Sequence, residues 1–117
     1  MQLTIDEYQK SVALNPKGQT GYRELGKIFY YQKKDTAAAW KFVEQALKCN
    51  PRDAWTINFK GVLFYDQKNY HEAMNMFSEA VKWEPIYSEA YKNLSLCNRI
   101  FGDYEKEAEN LEWAVEY

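Results

Sequence analysis

Only one histidine, two cysteines and three prolines occur in the 117 residues of this chain. A metal centre needs several His or Cys ligands at helical or loop spacing, and His71 has no such partner nearby in sequence. Cys49 and Cys97 also lack metal-ligand spacing, and both read as small buried hydrophobes in helical patterns. There is no Gly-rich phosphate loop and no dinucleotide fingerprint. No segment alternates strictly between apolar and polar residues, so no half-buried strand is expected. The opening residues, Met1 to Glu7, form neither a basic stretch nor an apolar run, so no signal peptide is expected. Nor is any stretch apolar for long enough to span a bilayer. Cytoplasmic location and no membrane contact are the expectations. The chain also lacks an excess of positive charge. Its net charge of −2 argues against nucleic acid as the main partner.

Apolar residues are plentiful, at 46%, enough for one globular domain of this length. Ten Tyr, six Phe and four Trp exceed what a minimal helical core needs, so some rings should serve elsewhere. Charge is unevenly placed. Residues 19–53 hold seven basic and four acidic side chains, whereas residues 88–117 hold three basic and seven acidic ones. Glu105, Glu107, Glu109, Glu112 and Glu116 spread round one helical turn pattern, as a solvated face does, rather than pairing as an acid/base site. No catalytic residue, cofactor or metal site is assigned, and the chain is read as a non-enzyme.

Internal repetition is the main signal. Ala46, Ala80 and Ala114 lie 34 residues apart, as do Asp35, Asn69 and Asp103, and Leu47, Val81 and Val115. Pro51 and Pro85 keep the interval. Pro16 to Pro51 and Gly26 to Gly61 are 35 apart, which places one extra residue between Gly26 and Asp35, at a helix end. Two helices fit each period. Asn69 with Glu72 forms a predicted capping box, with Asp35 and Asp103 at the equivalent cap sites. Pro51 and Pro85 stand just past second helices, where a helix must stop. Thr4 and Glu7 form another predicted capping box, and Ile5, Tyr8, Val12 and Leu14 match the apolar sites of later second helices. Residues 1–18 therefore read as a half-repeat helix, followed by repeats at 19–53, 54–87 and 88–117.

These residues resemble the tetratricopeptide repeat, whose signature is aromatic-x2-Leu-Gly-x2-aromatic, then Ala-x3-Phe, then Pro. The first repeat shows Tyr22, Leu25, Gly26, Phe29, Ala39, Val43, Ala46 and Pro51. The second shows Ile57, Gly61, Phe64, Ala73, Phe77, Ala80 and Pro85. The third shows Tyr91, Leu94, Ser95, Leu111 and Ala114, but has Asn98 where an aromatic is usual and Glu107 where Ala is usual. It is expected to be the least stable. The resemblance implies an all-α, right-handed superhelical solenoid of seven helices in a single domain. Small residues such as Gly26, Gly61 and Ser95 would let the helices of each hairpin approach closely.

The resemblance also implies a concave groove lined by first helices, with a protein or peptide partner. The candidate groove residues are Arg23, Lys27, Tyr30, Trp55, Asn58, Phe59, Val62, Tyr65, Lys92, Leu96 and Arg99. Trp, Tyr and Arg tend to carry binding energy at interfaces. Family members that clamp a C-terminal carboxylate use Lys and Asn at sites matching Arg23, Lys27, Phe59, Glu89 and Asn93. Phe59 removes an amide and Glu89 would repel the carboxylate, so a segment with apolar anchors is expected instead. The alternative is a structural or self-associating subunit. Ala108, Val115 and Tyr117 fall at sites that pack on a following helix, which would make an apolar docking patch and allow a homo-oligomer.

Overall fold

A computed structural model describes residues 5–14 and 19–116. Seven α-helices and no strand occur among the described residues: α1 (Ile5–Leu14), α2 (Gln19–Tyr31), α3 (Thr36–Cys49), α4 (Ala54–Asp66), α5 (Tyr70–Trp83), α6 (Ser88–Ile100) and α7 (Tyr104–Glu116). Thr4, Asn15, Pro16 and Tyr117 lie outside the described residues, as do the side chains of Tyr8, Val12 and Leu14, so the expectations placed on them have no structural counterpart. The chain forms two compact units, Met1–Pro51 and Arg52–Tyr117.

In the first unit α2 and α3 pair as a hairpin, and α1 packs against α2. Leu25 and Ile28 are buried between them, with Ile5, Phe29 and Phe42 packed around. Asp35 caps α3, its carboxylate accepting from the Ala38 N–H at 3.1 Å. The Asp35 N–H donates to Phe29 O, six residues back. The equivalent bonds, Asn69 N–H to Phe64 O and Asp103 N–H to Asn98 O, span five. The extra residue of the first period is thus looped out after α2, with Lys34 taking the positive φ that Lys68 and Gly102 take in the later turns.

In the second unit α4 pairs with α5, α6 pairs with α7, and α5 packs on α6. Ala73, Phe77, Leu94 and Cys97 form the core where these helices meet. Asp53 caps α4 through the Thr56 N–H at 3.2 Å and also accepts from the Thr56 hydroxyl. Asp103 caps α7 through the Lys106 N–H at 3.2 Å. Asn69 does not behave as its spacing predicts: it sits at the N-cap of α5 but its side chain makes no capping bond. An ionised carboxylate is the stronger acceptor for a helix N-terminus, and only the Asp caps close. Ser88 Oγ donates to Ala114 O at 2.8 Å, and the Tyr91 and Trp113 rings stack at 6.1 Å, so the start of α6 is tied to the end of α7.

At Gly61, α4 packs closely on α5. A Cβ there would stand 2.5 Å from Cε1 and 2.7 Å from Cδ1 of Phe77, and 3.1 Å from Cβ of Met76. Phe77 is fully enclosed and cannot swing away. Gly61→Ala should therefore destabilise the chain by about 1–2 kcal/mol, because forced displacement of a packed ring outweighs a helix-propensity gain of about 1 kcal/mol. Urea denaturation of the variant reads the sign directly.

Candidate functional site

The candidate groove residues divide between the units. Arg23, Lys27 and Tyr30 lie on α2 of the first unit, all half-buried. Lys27 Nζ lies 3.6 Å from Glu24 Oε2, one turn back on the same helix. Tyr30 meets Tyr31 edge to face with centroids 4.7 Å apart. The other eight residues lie on α4 and α6 of the second unit.

There, the 34-residue period brings α6 alongside α4, with Tyr65 facing its equivalent Arg99 and Asn58 bonded one residue past its own. Asn93 Nδ2 donates to Asn58 Oδ1 at 3.0 Å, bridging α6 to α4. One turn or more further on, the Arg99 guanidinium is near enough to Tyr65 to favour its phenolate, although burial, followed by Tyr70 and Cys97, outweighs this and raises the Tyr65 hydroxyl above its ordinary range. Burial also raises the neighbouring Asp66 carboxyl. Trp55, Val62 and Tyr65 recur at i, i+7 and i+10 along α4, and Lys92, Leu96 and Arg99 at i, i+4 and i+7 along α6, so each set forms one stripe. Trp55 is half-buried and stacks on Phe59, with centroids 5.3 Å apart and planes 14° apart. Val62 and Tyr65 are half-buried against the Phe77–Leu94–Cys97 core. Lys92, Leu96 and Arg99 are exposed, Leu96 at 37%.

Two of the eight do not sit where a surface contact would. Phe59 is 4% exposed and Asn58 is 8% exposed. Phe59 is the platform beneath the Trp55 ring, and Asn58 has its carbonyl oxygen satisfied by Asn93. Both support the stripe rather than form it.

Sequence reasoning also passed over the partner of Arg99. Glu107 Oε1 accepts from Arg99 Nε at 3.1 Å and from Nη2 at 2.9 Å. The hydrogen bond and charge of Glu107 push the Arg99 pKa further up. Glu107 therefore replaces the usual small residue with a fork that fixes the direction of the guanidinium. Its Oε2 is buried and takes no donor among the described residues. The signal in sequence was the departure from Ala; the eight-residue step across the turn to Arg99 is not a helical spacing and hides the pairing.

On α7, Ala108 is exposed and Val115 is 88% exposed, while Tyr117 lies outside the described residues. Exposed Tyr104 and Leu111 extend that patch at i, i+4, i+7 and i+11. Their counterparts one period earlier are Tyr70, Met74, Phe77 and Val81, none of which is exposed. Phe77 belongs to the core that α5 shares with α6, and Met74 and Val81 pack against it. Among the described residues no group of three or more His, Cys, Asp or Glu is placed to hold a metal ion. None of the described helices is long and apolar enough to cross a membrane.

No protein-family model matches the chain. It is 28% identical over 95 residues to human tetratricopeptide repeat protein 13, a match that covers 81% of this chain and 11% of that protein. Among solved structures, MamA superposes with a TM-score of 0.83 at 19% identity, over 96% of this chain and 65% of that one. PilF of Pseudomonas aeruginosa superposes with a TM-score of 0.83 at 23% identity, over 93% of this chain and 50% of that one. The chain thus spans about a tenth of its curated relative and between half and two-thirds of these structural neighbours. In its 34-residue period and in its all-α solenoid architecture, the chain has the tetratricopeptide-repeat fold.

Proposed function

We propose that this chain is a protein-binding module, an adaptor or assembly chaperone, which holds a partner segment on the paired stripes of α4 and α6. The observation that carries this reading is the Trp55 ring, half-buried and lying flat on a buried Phe59 of the same helix, on the helix whose Tyr65 end meets exposed Arg99 of α6. A flat aromatic on a rigid support loses little side-chain entropy on binding, and Arg99, held by Glu107 near Tyr65, is similarly fixed in direction. The stripe has apolar width at Trp55, Val62 and Leu96, with charge at Lys92 and Arg99. That suits an extended or helical segment with apolar anchors, not a carboxylate terminus.

A second reading rests on the bare stripe of α7. In it the chain is a structural or self-associating subunit that docks through Tyr104, Ala108, Leu111 and Val115, the stripe whose earlier counterpart is buried at Phe77 and half-buried elsewhere.

Quantitative affinity capture from the native host separates the two. Trp55→Ala and Tyr65→Ala should each weaken partner capture roughly 30-fold, corresponding to about 2 kcal/mol for an aromatic anchor. Val115→Glu should leave capture intact. The reverse pattern, loss with Val115→Glu and retention with the aromatic variants, overturns the stripe reading and establishes the second.

A further inference from the structure

We propose that the second unit carries another binding site, distinct from the α4–α6 stripe, which takes a main-chain amide and one apolar side chain of an extended peptide segment. The site is an open cleft of about 580 Å³ lined by α5, α6, α7 and the turn before α7. That lies within the range of about 300–1,000 Å³ usual for ligand pockets. It opens at Asn98, the position where the two earlier repeats carry Phe29 and Phe64. A short amide in place of a ring leaves space at the junction of three helices.

What lines that space is chemically specific. Asn98 is 7% exposed. Its Oδ1 accepts from Asn110 Nδ2 at 2.7 Å, but its own Nδ2 meets only the thioether sulfur of Met74, at 3.7 Å. Sulfur is a weak acceptor, so an amide N–H that is more than nine-tenths buried faces the cleft without a good partner. Met74, Leu94 and Phe101 supply the apolar wall beside it. Asn110 donates to Asn98 and leaves its own carbonyl oxygen for a donor.

The complement of this arrangement is a peptide group. Its carbonyl oxygen would accept from Asn98 Nδ2 in place of sulfur, its N–H would donate to Asn110 Oδ1, and the attached side chain would lie against Met74, Leu94 and Phe101. Asp103 and Glu109 flank the cleft with Lys106, so acidic charge predominates around it. A ligand with a free carboxylate should be disfavoured relative to its amide.

The test uses N-acetyl-leucinamide and N-acetyl-leucine as probes, titrated at millimolar concentration into the full chain labelled with nitrogen-15. The amide probe should shift the side-chain NH2 signals of Asn98 and Asn110 together with the backbone signals of Met74 and Leu94. The free acid should bind at least several-fold more weakly. Asn98→Phe, which restores the ring of the other repeats, should raise the melting temperature and abolish the shifts. Ser78→Trp, from an exposed position on the cleft lining, should also abolish them without touching the core. Absence of shifts in the unaltered chain, or equal shifts in both blocking variants, overturns the proposal. Neither outcome bears on Trp55 or the α4–α6 stripe.

Discussion

Replacing Phe77 with Ala should destabilise the chain by about 3–5 kcal/mol, the largest loss expected from any single core truncation here. Phe77 is 1% exposed and is the largest of the fully enclosed side chains. It belongs to α5, touches the Gly61 site on α4, and shares a core with Leu94 and Cys97 of α6. Its removal therefore opens a cavity where three helices meet, and no neighbour can fill it without shifting a helix. Because a domain of this size is stable by only about 5–15 kcal/mol, most of the margin would go. The same geometry predicts a strong coupling. In the Phe77→Ala background, the ring that obstructs a Cβ at position 61 is gone. Gly61→Ala should then change sign and stabilise, by up to about 1 kcal/mol from helix propensity. A double-mutant cycle in guanidinium measures this. If the two changes prove additive, the contact between Gly61 and Phe77 is not what keeps residue 61 small.

The parts of this fold that were legible in sequence were those with a period. The interval shared by Ala46, Ala80 and Ala114 implies seven helices, and the 35-residue step from Gly26 to Gly61 places the extra residue after α2. Caps were legible only in part, because spacing does not report charge. Asp35 and Asp103 close their helices, whereas Asn69 at the same register does not. Asp53, unremarked as a cap, closes α4. It stood directly before Ala54, where a helix-start rule would have found it.

The candidate site was harder to read. A helix with one apolar stripe tells which side it buries, but α4 is apolar or small almost all round and buries residues on several faces. Periodicity alone therefore did not separate Phe59 and Asn58, which support, from Trp55 and Tyr65, which lie beside them. The half-buried amide pair Asn58–Asn93 connects residues 35 positions apart, and Arg99–Glu107 crosses a turn. Both needed the packing of helices that local sequence does not specify. Asn98 was legible as a departure from the repeat, but the space it leaves was not, because a cavity is a property of three helices at once.

Cys97 gives the second large effect. At pH 8 its alkylation should be roughly 200 times slower than that of an unhindered thiol, even before steric exclusion is counted. Burial raises the Cys97 thiol to about 11, because a thiolate in this apolar core would lose its hydration. Reaction requires the thiolate. At pH 8 a group titrating near 11 is ionised about once in a thousand molecules, against roughly one in four for an ordinary thiol near 8.5. Folding thus holds the proton on Cys97. The stability this contributes is complete below the ordinary thiol range and is lost as pH climbs from there through about 11. Since the side chain is also fully enclosed, reagent reaches it only when the second unit opens. Half-buried Cys49, on α3, lies outside that core and reports the other unit. Mass spectrometry of the alkylated chain resolves the two sites. Labelling of Cys97 should follow the unfolding transition in guanidinium, and Phe77→Ala, which weakens the same core, should accelerate it more than a hundred-fold under native conditions. Native-state labelling of Cys97 as fast as that of a free thiol would mean that α4 and α5 do not enclose it on α6.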